Sequence, residues 1–221
     1  MESCLLGRGA RVGGLTDILA QKTISLLNKT GCRKLAIIGD VKENVVSAGG
    51  PVQEYFSNLS SFAEITVCRG NHDGNIERIR GISNVSGPEG MVLHGVGLFH
   101  GHAWPSQELM GCDTVLMGHN HPQLTFFEGG KKEPRPVWLF CPPSPGKISA
   151  RYPIPNPPSR LVLMPSFNPL LGNDIGRFGG LGPLLKNGLF SWARASVFTL
   201  HGTKLGEAGE ICRASVSEKG F

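Results

Sequence analysis

Four apolar runs in this chain each lead into a carboxylate, an amide or an imidazole. Leu35-Ala36-Ile37-Ile38 ends in Gly39-Asp40, and Ile65-Thr66-Val67-Cys68 leads into Gly70-Asn71-His72-Asp73. Leu98-Phe99 ends in His100-Gly101-His102, and Val115-Leu116-Met117 ends in Gly118-His119-Asn120-His121. Asp40, Asn71, His100, His119 and His121 offer hard oxygen and borderline nitrogen donors without thiolate, a set suited to divalent Mn, Fe or Zn. A carboxylate such as Asp40 that bridges two cations lets a metal pair sit ~3.5–4 Å apart, the arrangement used for phosphate-ester hydrolysis. A water bridging the pair would act as hydroxide at neutral pH, and the cations would offset charge on the phosphate oxygens. His72, beside Asn71, is placed to protonate the leaving alkoxide as general acid. Asp73 is expected to hold that imidazole oriented and charged. No residue is assigned to an organic cofactor.

These donors need elements that fix their positions. Leu15, Ile18, Leu19, Ile24 and Leu27 repeat at helical spacing, which predicts a helix ending before Asn28 to Gly31. A strand over Leu35–Ile38, a short helix over Val52–Leu59 after Pro51, and a strand over Ile65–Cys68 follow. Alternation of helix and strand argues for parallel pairing through crossovers. From Met91 the texture turns to hairpins. Met91–Leu93 and Val96–Phe99 flank His94-Gly95, Gln123–Phe127 and Val137–Phe140 flank Gly129-Gly130, and Ala195–Leu200 pairs with Lys204-Leu205 across His201-Gly202. Gln107–Met110 reads as a brief helix, and Thr114–Met117 and Arg160–Met164 as strands. The prolines between Cys141 and Pro158 read as a long surface loop, and Gly172 to Gly188 as a loop draped over the body.

The chain has 221 residues, enough to bury a substantial core, and reads as one domain over 1–221. With 40% apolar and 18% charged residues it falls in the ordinary globular range. No apolar segment approaches the ~20 residues of a membrane span, so no membrane partner is expected. The start, Met1-Glu2-Ser3-Cys4, lacks the features of a secretory signal, which leaves a cytoplasmic location as the expectation. Cys4, Cys32, Cys68, Cys112, Cys141 and Cys212 show none of the close pairing that a cysteine zinc cluster requires, and are expected to be reduced. The net charge of +5 permits an anionic substrate or nucleic acid. Its densest basic groups, Arg33-Lys34 and Lys131-Lys132 with Arg135, read as exposed turns.

The order and spacing of Gly39-Asp40, Gly70-Asn71-His72-Asp73, His100-Gly101-His102 and Gly118-His119-Asn120-His121 resemble the calcineurin-like metallophosphoesterases. Ile37 to Lys42, Met117 to Pro122 and Met164-Pro165-Ser166-Phe167-Asn168-Pro169 look, more narrowly, like the ICC-like branch that includes DNA-ligase-associated phosphoesterases. The resemblance runs from about Glu2 to Glu210. It implies an α/β fold, a four-layer αββα sandwich of two mixed sheets with metals at the strand ends. It also implies Asp40 as bridging ligand, Asn71, His100 and His119 completing one metal site, His121 in the other, and His72 as the acid. His102 would sit behind the ligands. Two divalent ions, Mn first, with Fe or Zn as alternatives, would occupy the complete site. The branch usually carries histidine where this chain has Glu43. The family's opening strand ending in Asp-x-His is also missing, and Glu2 to Leu15, with its Gly9-Ala10-Arg11-Val12 run, resembles the segment that follows it. A start placed too late, or a truncated chain, is the expectation. The function implied is hydrolysis of a phosphodiester or phosphomonoester. The alternatives are a catalytically impaired metal- or nucleotide-binding relative and a nuclease-like DNA-processing factor.

Overall fold

The computed structural model describes residues 14–42, 50–177 and 179–217. The Gly9–Val12 run, the expected missing first strand and Glu43 lie outside the described residues. The chain divides into two compact units, Met1–Ser86 and Gly87–Phe221.

In the first unit, helix α1 (Leu15–Thr30) is bounded by Gly14 and Gly31, both left-handed, where a residue without Cβ is least strained. Its inward face is Leu15, Ala20, Thr23 and Leu27, and the Thr23 hydroxyl lies 3.2 Å from the Tyr55 hydroxyl. Ile18, expected in the apolar stripe, is 62% exposed. At 100° per residue it points well away from the Thr23 direction, so the buried face is centred on Thr23 instead. Helix α2 (Gly50–Ser60) takes Pro51 in its first turn and buries Phe56 and Leu59. Strands β1 (Lys34–Ile37), β2 (Glu64–Cys68) and β3 (Asn84–Ser86) pair in parallel in that order, as the alternating pattern predicts. Ile65 and Val67 of β2 pack with Phe56, Leu59, Ile76 and Ile79 as this unit's core. A 3₁₀ turn, Ile76–Arg78, follows the Gly70–Asp73 segment.

The second unit is built on a mixed nine-stranded sheet. Strands β4 (Met91–Leu93) and β5 (Val96–Phe99) form the expected hairpin, with His94 and Gly95 both at positive φ as a two-residue turn demands. Helix α3 (Gln107–Met110) starts at Ser106, whose hydroxyl accepts from the Leu109 N–H, and leads into β6 (Thr114–Met117). Strands β7 (Pro122–Glu128) and β8 (Lys131–Cys141) pair across Gly129-Gly130. The far half of β8 is clasped on one side by β9 (Arg160–Leu163) and on the other by β11 (Ser196–Thr199). Strand β10 (Asn173–Asp174) pairs with β7, and β12 (Lys204–Glu207) with β11, before helix α6 (Ala208–Ser217). Phe99, Met110, Met117, Leu139, Leu161 and Phe190 are among the buried side chains of this core.

Two segments differ from their expected state. The proline-rich stretch contains helix α4 (Pro145–Arg151), with Pro145 in its first turn and Ile148 fully buried. The Tyr152 hydroxyl at its end donates to the Pro105 carbonyl at 3.0 Å, which ties the stretch to the body. The glycine-rich stretch contains β10, a 3₁₀ turn (Ile175–Arg177) and helix α5 (Pro183–Lys186). Glycine and proline punctuate both like loops, but Ile148, Ile175 and Leu184 have their side chains buried, and burial decides the structure. Among the described residues, no helix is long and apolar enough to cross a membrane.

Candidate metal centre

Strands β1 and β2 run parallel with Ile37 opposite Val67, so both leave the sheet at the same edge. The Gly39-Asp40 and Gly70–Asp73 turns therefore lie side by side at the carboxyl ends of the strands, where open α/β sheets carry their ligands. Asp40 sits at φ 53 after Gly39 at φ 69. A non-glycine residue held there costs about 1–3 kcal/mol unless its surroundings fix it. The fixing group is Asp73, which is fully buried. Its carboxylate accepts from the backbone N–H of Asp40 at 2.7 Å, of Val41 at 2.9 Å and of Lys42 at 3.1 Å. A fourth N–H, from Gly70, reaches it at 2.9 Å.

The hydrogen bonds found for the Asp73 carboxylate thus come from backbone. A carboxylate offers about four lone-pair sites, and four backbone donors take them. The residue holds the Asp40 turn and has no acceptor left for the His72 imidazole. His72 contributes differently: its backbone N–H donates to Asp40 Oδ1 at 3.1 Å and so orients the candidate ligand. The side chains of Asn71 and His72 are exposed on the same turn. Gly70 is required for the close approach, because a Cβ there would lie 2.3 Å from both the backbone nitrogen and Oδ1 of Asp40. Lys42, only 3% exposed, closes the far side through an ammonium hydrogen bond to the Gly74 carbonyl.

In the second unit, β5 and β6 run parallel with Phe99 opposite Met117, so His100 and the Gly118–His121 turn emerge together. His100 is 1% exposed, and its Nε2 lies 3.1 Å from His119 Nδ1. The His102 ring completes a cluster of imidazoles, with its centroid 5.4 Å from His100 and 6.3 Å from His119. With metal–nitrogen bonds of about 2.0–2.1 Å, two nitrogens 3.1 Å apart subtend roughly 100° at a common ion. The pair thus fits a divalent cation in both donor type and spacing. His119 at φ 59 and His121 at φ 47 share the left-handed backbone of Asp40.

Asn120, between those two histidines, is fully buried and holds their turn. Its Oδ1 accepts from the Leu181 N–H at 2.8 Å, and its Nδ2 donates to the Leu181 carbonyl at 3.4 Å. Asn173 braces the same turn from β10, with its amide donating to the Asn120 carbonyl at 3.0 Å and its backbone N–H to the His121 carbonyl at 2.8 Å. Gly182 passes so near the His100–His102 turn that a Cβ would meet the Gly101 carbonyl oxygen at 2.0 Å. Asn120, Asn173 and Gly182 were not among the expected site residues. Asn120 was within reach of sequence reasoning, since an amide between two candidate ligands on a strand-end turn has backbone to satisfy. Asn173 and Gly182 carry no such mark.

No family model matches this chain, and no curated protein matches it. Among solved structures, it is similar to the nuclease MPE of Pseudomonas putida at 18% identity and a TM-score of 0.52, over 86% of this chain and 78% of that one. A single mutant of Vps29 from Entamoeba histolytica aligns at 26% identity and a TM-score of 0.25, over 46% of this chain and 71% of that one. The first likeness is one of fold. The chain has the α/β fold, two sheets with helices, that its motifs imply.

Proposed function

We propose that this protein is a divalent-metal-dependent hydrolase of phosphate esters. The observation that carries the reading is the His100–His119 nitrogen pair, 3.1 Å apart at the ends of adjacent parallel strands. In this reading the units act as a single domain, and Asp40 and Asn71 join that pair around one ion. Asp40 and His121 serve a second. The nitrogen and oxygen donor set without thiolate supports Mn. When bound, the metal supplies Lewis acidity toward the phosphoryl oxygens and an activated water. Asp73 and the His72 N–H hold Asp40 in its ligating posture. The exposed His72 imidazole stands where it can protonate a departing alkoxide, and His102 backs the ligand pair. The motifs Ile37 to Lys42 and Met164 to Pro169 support placement in the ICC-like branch. A cytoplasmic setting is part of the same reading, since the six cysteines show no close pairing in the sequence.

The test is hydrolysis of a bis-aryl phosphate after chelation and readdition of Mn. Activity lost with chelator and restored by Mn supports the reading. Stoichiometric metal without turnover turns it to the impaired, metal-binding alternative. A nuclease reading is favoured by the solved neighbour's being a nuclease and by the net charge of +5. It requires binding to single-stranded or nicked DNA that weakens steeply with salt.

A further inference from the structure

A cavity of about 580 Å³ opens on the second unit between β7, the start of β8, the Asn173–Arg177 segment and α6. Leu124 and Ile211 give it an apolar lining. At its mouth stands Phe127, 62% exposed, with the Lys132 ammonium 5.7 Å from the ring centroid. Arg177 contributes a second cation. Among the described residues, neither Lys132 nor Arg177 enters an ion pair, whereas Arg135 on the same hairpin is taken by Glu128 and Glu133 at 2.5 Å. The one acid in the lining, Asp174, is held by the Thr125 hydroxyl and by the Gly176 N–H at 2.7 Å.

An exposed aromatic face, an apolar wall and two cations outside any ion pair among the described residues, in a cavity of small-ligand size, match one ligand chemistry: a planar base carrying a phosphate. We propose that this cavity binds a nucleotide unit, the base against Phe127 and the phosphate between Lys132 and Arg177. Asn173 lines the cavity and also hydrogen-bonds to the Asn120 and His121 carbonyls. A bound nucleotide would therefore lie beside the histidine turn. Its use as substrate rests on the phosphoesterase reading; its binding does not. The ligand is either a free mononucleotide or the end of a single strand.

The test is calorimetric titration of the full chain, with chelator present, against AMP, adenosine, inorganic phosphate and a 5′-phosphorylated hexathymidylate. AMP is expected to bind about tenfold or more tightly than adenosine or phosphate. Lys132→Ala and Arg177→Ala are expected to weaken AMP about tenfold and leave adenosine unchanged. Phe127→Ala is expected to weaken both AMP and adenosine by roughly 5–150-fold, the span for losing one stacked base. All three side chains are exposed, so the variants keep the fold, which circular dichroism verifies. A hexamer binding about tenfold tighter than AMP assigns the site to a strand end, and equal or weaker binding assigns it to the mononucleotide. AMP binding no tighter than phosphate, or unchanged in all three variants, overturns the proposal. Hydrolysis of a bis-aryl phosphate by the metal-loaded chain is measured separately, so loss of the nucleotide site and loss of the phosphoesterase reading give different results.

Discussion

The first unit holds its donor-bearing turn with an anion, and the second holds its own with a neutral amide. Around Asp40, three successive backbone N–H groups and that of Gly70 converge on one point. Such a nest of donors is matched by a carboxylate and by nothing neutral of the same size. Around His119 and His121 the strap at Leu181 presents one N–H and one carbonyl, which an amide answers atom for atom. Both clamps are fully buried, and both fix residues in the left-handed region. The difference teaches that each clamp is chosen by the backbone it faces. Asp73 is spent on that backbone, so the general-acid role proposed for His72 draws no carboxylate partner from it.

The comparison breaks or sharpens at several points. In the first unit, His72→Ala should lower turnover of alkyl phosphate esters by about 10²–10⁴-fold and of activated aryl esters far less, because an acid matters most for a basic leaving group. In the second, His102→Ala should slow both ester classes alike. Equal losses for both classes in the His72 variant would remove its role as acid.

Asp73→Asn should destabilise the protein by at least about 3 kcal/mol in urea unfolding, since an amide can accept from only part of the nest and aims its own N–H groups at the rest. Asn120→Ala should cost about 2 kcal/mol by leaving the Leu181 N–H unpaired. A Asp73→Asn cost no larger than that of Asn120→Ala would show that charge is immaterial to the first clamp.

The smallest effect concerns the two cores at alkaline pH. Burial pushes up the thiols of Cys68 in the first unit and Cys141 in the second, and for Cys68 a hydrogen bond with Ser86 works against the shift. Below the ordinary thiol value of ~8.5 both folded and unfolded chains keep these protons. Above it the unfolded chain releases them first, so stability falls as pH rises toward the folded values. Melting temperatures from pH 7 to 10, taken at ~1 pH unit steps, should therefore fall, and Cys141→Ala should flatten that slope more than Cys68→Ala.

Much of this arrangement was legible in the residues. The four apolar runs ending in Asp40, Asn71, His100 and His119 are strand ends, and the hairpin at His94-Gly95 follows from its turn chemistry; the turn at Gly129-Gly130 is also present, but its second arm is residues 131–136, and Val137–Phe140 pairs instead with β9 and β11. The role of Asp73 was not legible, because a carboxylate beside a histidine reads as its partner until the backbone it faces is known. Nor was the strap through Asn173, Leu181 and Gly182. Glycine and proline mark it as loop, and only the burial of Ile175 and Leu184 reveals that it is packed into the second unit.

The central proposal is that Asp40 and His119 are ligands of one ion. Metal content per chain, measured on purified wild type, Asp40→Ala and His119→Ala after Mn loading and desalting, tests it most directly. The account predicts that each substitution removes the same ion, and that the double variant binds no less than the weaker single one. Full retention of that ion in Asp40→Ala, with loss only in His119→Ala, would contradict it.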